Sequence, residues 1–139
     1  MWHTEHSIET SASPDAIWRL WADVPGWKSW NAGIEKVDIH GPFRTGTRIS
    51  MTPTGAPPVE MTLGEVRVNE VFVDQTPIEN ILVTVYHRIE RISAARIRII
   101  YRMEIAGDGA DTLGAALGSG ISGDFPEVLA ALVQRAEST

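Results

Sequence analysis

With 12 Lys and Arg against 18 Asp and Glu in 139 residues, the chain carries a formal charge of -6, so a phosphate backbone would meet general repulsion unless the basic residues cluster. The length suits one domain with a real core, read as spanning 1–139. There is no cysteine, which excludes disulfides, thiolate metal centres and cysteine nucleophiles.

The N-terminal MWHTEHSIET has no signal-peptide core, and no apolar run nears the roughly 18 residues of a membrane span. A soluble, cytoplasmic chain is expected. HTEHSIETS alternates, with His6, Ile8 and Thr10 on one face and Glu5, Ser7 and Glu9 on the other, the pattern of a half-buried strand. SPDAIWRLWADV then offers Ser13 as N-cap, Pro14 at the first helical position and Ile17, Leu20, Trp21 and Val24 at helical spacing, with Pro25 as the stop. PGWKSWNAGI is short and rich in breakers, and reads as a second short helix or turn carrying Trp27 and Trp30.

From Ile34 strand signals dominate: IEKVDI, TRISMT, VEMTLGEVRV, EVFVDQT and two longer strands flanking SAA, about seven strands in all with the first. The last third is poor in β-branched residues. There Ile121, Phe125, Val128, Leu129, Leu132, Val133 and Ala136 recur at three- and four-residue steps, which predicts an amphipathic C-terminal helix. Gly118, Gly120, Gly123 and Pro126 are expected to weaken or kink its first half. The apolar stripe of this helix needs the concave face of the sheet, and a ligand cavity between the two is the natural consequence.

VYHRIERISAARIRIIYRM holds five of the twelve basic residues. A loop at Ser93, Ala94 and Ala95 pairs odd with odd and places Ile89 opposite Ile99, His87 opposite Tyr101 and Val85 opposite Met103. That face is apolar but for His87 and the Tyr101 hydroxyl. The other face sets Glu90 against Arg98, Arg88 beside Ile100 and Tyr86 beside Arg102, a solvated mixed surface. A two-residue turn at Ala94 and Ala95 would set apolar positions against charged ones, so the longer loop is expected.

GSGISG, Gly118 to Gly123, fits the dinucleotide fingerprint in letters only: no β/α alternation surrounds it, and 16 residues follow it where an acidic ribose ligand is wanted about 20 on. His3 and His6 stand three apart on a strand, on opposite faces, and make a poor metal pair. No metal and no cofactor are expected. Trp27 and Trp30 read either as core fillers or as aromatic lining of a cavity mouth. His87 and Tyr101 read either as a satisfied core pair or as a catalytic pair able to orient a carbonyl and move a proton. Asp74 or Gln75 offers a third polar group, and alternation does not decide which faces inward.

The order of elements and the wording of IETSASPDAIWRLWADVPGWKSWN, HGPFRTGTRISM, YHRIERI and ISGDFPEVLAALVQRAE resemble the START-like, SRPBCC superfamily, and within it small bacterial proteins of the polyketide cyclase/dehydrase type. The resemblance runs nearly end to end. It implies an α+β helix-grip fold, a curved antiparallel sheet of about seven strands wrapped round a long C-terminal helix, with two short helices after the first strand. It also implies a cavity between sheet and helix for a hydrophobic or aromatic small molecule. The inward positions expected to line it are Trp27, Trp30, Val85, Ile99, Met103, Ile121, Phe125 and Leu129. Some relatives cyclise or dehydrate polyketide chains and others carry lipids without chemistry, and no universal catalytic motif of the family falls on His87 or Tyr101. Three readings follow: a small-molecule binder with or without cyclase or dehydratase chemistry, a non-catalytic carrier or sensor, and an interaction module on the arginine face. Nucleic acid is not expected as a partner, and oligomeric state is not legible.

Overall fold

The structure is a computed structural model that describes residues 1–111, 114, 118 and 122–138. Strand β1 (Trp2–Thr10) alternates in burial as its sequence does, with even positions turned inward. At Ser13 the chain switches to helix because the serine hydroxyl accepts the Ala16 N–H, satisfying one of the free donors of the first turn, and Pro14 needs no donor there. Helix α1 (Pro14–Ala22) buries Ile17, Trp18 and Trp21. Pro25 does not act as the stop; α1 already ends at Ala22, and Pro25 lies in the first turn of a 3-10 helix (Val24–Ser29), where its missing N–H costs nothing. Trp27 sits in that helix and Trp30 closes it.

Six strands follow: β2 (Ile34–Ile39), β3 (Arg48–Pro53), β4 (Val59–Arg67), β5 (Val71–Ile78), β6 (Ile81–Ser93) and β7 (Arg96–Gly107). They form one antiparallel sheet with β1 in the order β1-β7-β6-β5-β4-β3-β2. Irregular register in β4 between Leu63 and Val66 bends the sheet, as an extra unpaired residue in one strand does. The curved inner face receives the C-terminal helix α2 (Phe125–Glu137), which buries Val128, Leu129, Leu132, Val133 and Ala136.

The expected break falls at Gly123 and Asp124, a turn between helical Ser122 and α2, whereas Pro126 sits in the first turn of α2 and does not kink it. The helix lies against β1 and α1. Thr10 ties its far end to β1 by donating to the Glu137 carboxylate at 2.5 Å. Of the glycine motif, Ser119, Gly120 and Ile121 lie outside the described residues. Gly118 and Gly114 meet the Trp2 indole so closely that an added Cβ would overlap it, 2.1 Å from the nearest ring atom at Gly118.

The β6–β7 register has His87 opposite Tyr101, Val85 opposite Met103, Ile89 opposite Ile99 and Glu90 opposite Arg98, as expected from the sequence. The loop differs. Ser93 pairs with Arg96, so the turn is the two residues Ala94 and Ala95, and a bulge at Ile92 restores the odd-with-odd register before Arg91. Two-residue hairpin loops favour positive φ, which alanine resists. Neither alanine has positive φ here, and the bulge at the half-exposed Ile92 accommodates that turn. Deletion of Ile92 is therefore expected to cost about 1–2 kcal/mol for each alanine driven to positive φ. Adding Ala94→Asn and Ala95→Gly should recover most of that loss in urea denaturation; no recovery would show that the bulge has another cause.

Candidate functional site

Because α2 lies against β1 and α1, the concave face of β3 to β6 is left to the 3-10 helix to cover. A cavity of about 200 Å³ occupies this space. Its roof is Trp27, Trp30 and Val128, and its walls are Met51, Met61, Val59, Val83, Val85 and Phe72. Asn31, Met51, Pro53, Val59 and Ile78 are only half-buried and mark the mouth, whereas Phe72, Asp74, Thr76, His87 and Tyr101 are buried and form the closed end.

Of the expected residues, the cavity brings together Trp27, Trp30, Val85, His87 and Tyr101. Ile99, Met103 and Leu129 do not line it: at 0%, 0% and 1% exposure they are sealed in the core, since β7 runs beneath the helices. Phe125 is also absent from the wall and packs edge-on against Tyr101 and His6. Ile121 lies outside the described residues. Phe72 and Thr76 were missed as lining residues, and Asp74 was left open against Gln75, because β5 is buried on both faces from Val71 to Asp74, which blurs the alternation that would have assigned them. Asp74 is the inward residue of the Asp74 and Gln75 pair, at 6% exposure.

Strand geometry explains why the polar groups meet. Phe72 pairs with His87 and Asp74 with Val85, so Asp74 is the diagonal same-face neighbour of His87, while Tyr101 lies directly across from it. The His87 ring stacks on Phe72 at 3.8 Å between centroids and 5° between planes, and meets Tyr101 edge-on at 4.6 Å. His87 Nδ1 lies 3.2 Å from the Phe72 carbonyl. A carbonyl can only accept, so Nδ1 carries the proton and Nε2 presents a lone pair. That lone pair faces Asp74 Oδ2 at 3.9 Å, too far for a direct hydrogen bond. The Tyr101 hydroxyl accepts from Trp21 Nε1 at 3.2 Å and keeps its own proton to give.

Burial sets the charges. Loss of solvent lifts the Asp74 carboxyl to about 7 and drives the His87 imidazole down to about 3, the hydrogen bond to Phe72 offsetting only part of the fall. Burial likewise pushes the Tyr101 phenol well above its ordinary range. Near neutrality, then, His87 is neutral, Tyr101 is a donor, and Asp74 is the one of the three that titrates.

On the even-numbered hairpin face Arg88 lies over the Tyr86 ring at 5.4 Å, and the other arginines are in ion pairs. Arg98 meets Glu9 and Glu90, Arg96 meets Glu9, and Arg102 meets Glu104 and Glu5. His3 is exposed and His6 half-buried, on opposite faces of β1. Among the described residues no group of three His, Asp or Glu comes together as a ligand set, and no helix is long and apolar enough to cross a membrane.

A curved antiparallel sheet gripping a C-terminal helix beside an apolar cavity is the helix-grip arrangement of the START-like, SRPBCC proteins. The chain belongs to the family described as "Polyketide cyclase / dehydrase and lipid transport", whose profile matches residues 1–137. No curated protein sequence matches it. Among solved structures it is similar to the di-domain ARO/CYC BexL from the BE-7585A biosynthetic pathway, at 22% identity and a TM-score of 0.78 over 99% of this chain and 47% of that one. It therefore spans about half the length of that protein. It is also similar to the Zhui aromatase/cyclase from Streptomyces sp. R1128 (18% identity, TM-score 0.77, 98% of this chain and 93% of that one). Norcoclaurine synthase from Thalictrum flavum, in complex with dopamine and hydroxybenzaldehyde, is a third (16% identity, TM-score 0.74, 96% and 84%). At these identities the likeness is one of fold.

The two buried shifts have opposite consequences for stability. Asp74 has its folded pKa raised from 3.8 to about 7, so across that window the folded state binds the extra proton and stability falls as pH rises. His87 has its folded pKa lowered from 6.5 to about 3, so the unfolded state binds the extra proton and stability rises with pH. Between about pH 4 and 6.5 the slopes cancel: the proton sits on His87 when unfolded and on Asp74 when folded. Asp74→Asn should expose the His87 slope and His87→Phe the Asp74 slope, each on the order of 1 kcal/mol per pH unit and of opposite sign. Urea denaturation of both variants at pH 5 and 6.5, read as differences from the wild type, checks this; profiles that move the same way would contradict it.

Proposed function

We propose that this cavity binds a compact apolar or aromatic small molecule with one polar group directed at the closed end, and that the closed end supports proton transfer of the kind that cyclisation or dehydration requires. The observation that carries the reading is the enclosure of a carboxyl, an imidazole and a phenol with spare hydrogen-bonding capacity at one end of an otherwise apolar space. Folded proteins leave few buried polar groups unmatched, and a ligand that reaches Asp74 and His87 supplies the match.

Size narrows the ligand. About 200 Å³ lies below the roughly 300 Å³ at which pockets for drug-sized molecules begin, so one or two rings fit inside and a longer chain protrudes past Asn31 and Pro53. The aromatase/cyclase and norcoclaurine synthase relatives support an aromatic or ring-forming ligand by analogy of fold.

For the chemistry, an acid or base works best with a pKa near the working pH. Asp74 meets that condition and His87, driven down to about 3, does not. Asp74 is accordingly the proton carrier, His87 Nε2 the acceptor that orients the polar group, and Tyr101 the donor to a carbonyl or developing enolate. A closed end that is neutral whenever Asp74 holds its proton also suits a carrier that leaves its cargo unchanged, which is the second reading.

Two measurements separate these readings. Native mass spectrometry of freshly purified protein should show a non-covalent adduct, and Val85→Phe, which fills the cavity from β6, should lower its occupancy at least tenfold while the fold persists by circular dichroism. An adduct untouched by Val85→Phe would place the ligand elsewhere. When the released molecule is added back, conversion by wild type but not by Asp74→Asn, with the adduct retained, identifies catalysis; a molecule recovered unchanged identifies a carrier.

A further inference from the structure

We infer that the closed end selects ligands bearing a phenolic or enolic hydroxyl, which bridges Asp74 Oδ2 and His87 Nε2. The inference rests on the cavity being the binding site and names the polar group that it recognises.

The argument is one of matching donors and acceptors. His87 is fixed by its Nδ1 contact to the Phe72 carbonyl, so Nε2 can only accept. The protonated Asp74 carboxyl can donate from Oδ2. The two atoms stand 3.9 Å apart, and an oxygen placed at about 2.8 Å from each would subtend an angle of about 90° between them, within reach of one hydroxyl that donates to Nε2 and accepts from Oδ2. A ketone cannot donate to Nε2. An ammonium cannot accept from Asp74, and a carboxylate would bring a further charge to a site whose burial already disfavours charge. A hydroxyl satisfies both partners with no net charge.

The surroundings say what the hydroxyl is attached to. Of the cavity's lining, Trp27, Trp30, Phe72 and Tyr101 are aromatic, and the His87 ring lies flat on Phe72 and edge-on to Tyr101. Aromatic faces and edges on these sides favour a flat, conjugated carbon frame. A hydroxyl on such a frame is also a stronger donor than an aliphatic one, which suits the buried acceptor His87 Nε2.

The test uses 4-nitrophenol and its near-isostere 4-nitrotoluene with the full chain at pH 7, binding being followed by tryptophan fluorescence. Wild type should prefer the phenol at least tenfold, and the visible phenolate band of 4-nitrophenol should fall on binding, because the bridge holds the hydroxyl proton. His87→Phe keeps a ring on Phe72 but removes the acceptor, and Asp74→Leu removes the donor in similar volume; in each the preference should drop to within about twofold. Asp74→Leu also relieves an unpaired buried carboxyl, so it remains informative where His87→Phe folds poorly. Equal affinity of wild type for both probes overturns the inference and leaves the cavity reading standing. Failure of both probes to bind overturns the two together. A preference that survives in the variants overturns the bridge, since another group would then be its source.

Discussion

The seating of the C-terminal helix is the constraint on which the remaining structure depends. Helix α2 buries one stripe, Val128, Leu129, Leu132, Val133 and Ala136, and it does so against β1 and α1, not across the middle of the sheet. Its position is pinned at the C-terminal end by Thr10 and Glu137. On the N-terminal side, Gly114 and Gly118 admit Trp2 against the backbone. Held over one side of the curved sheet, α2 leaves the concave face of β3 to β6 to the 3-10 helix. The cavity under Trp27 and Trp30 is thus a result of where the stripe is buried, and only Val128 of the helix reaches it.

Trp21 connects that scaffold to the polar end of the cavity. It is fully buried on α1, its indole N–H goes to the Tyr101 hydroxyl at 3.2 Å, and its backbone carbonyl takes the indole N–H of Trp27 at 2.9 Å. The same ring stands edge-on to Phe72 and His87. One residue therefore constrains, through its indole, the Tyr101 hydroxyl and, through its backbone carbonyl, the 3-10 helix that roofs the cavity. Residues whose rotamers are locked in this way hold a site open without occupying it, which a ligand of one or two rings requires.

How much of this was legible from the sequence follows from which signals were periodic. The hairpin register was readable, because Val85, His87, Ile89, Ile99, Tyr101 and Met103 alternate with charged residues that cannot be buried, and a slip by one would exchange the faces. The bulge at Ile92 was not readable, since it depends on the preference of Ala94 and Ala95 for negative φ and leaves the register unchanged. The division of inward residues into core and cavity was not readable either. Ile99 and Met103 face inward just as Val85 does, and what separates them is the lateral position of a helix remote in sequence. Asp74 was hidden for a related reason: a strand buried on both faces carries no alternation, so the sequence could nominate Asp74 or Gln75 but not choose.

The two faces of the β6–β7 hairpin finally explain how a site with three ionisable groups stays uncharged in an acidic protein. Period two sends Arg98 and Arg102 outward, where glutamates meet them; Arg96 and Arg98 hold the Glu9 carboxyl below its ordinary range. The pairs of Glu9 and Glu90 are exposed and screened and contribute little to stability, whereas Arg102 and Glu104 are partly buried. The same period sends His87 and Tyr101 inward, where, among the described residues, no arginine or lysine lines the cavity to stabilise a carboxylate on Asp74. Without a counter-charge the proton stays on Asp74 up to about neutrality, and the imidazole stays bare at Nε2. A cationic residue on the inner wall would have made Asp74 a permanent anion. Its absence turns the carboxyl into a hydrogen-bond donor, and so favours a neutral hydroxyl over a charged partner at the closed end of the cavity.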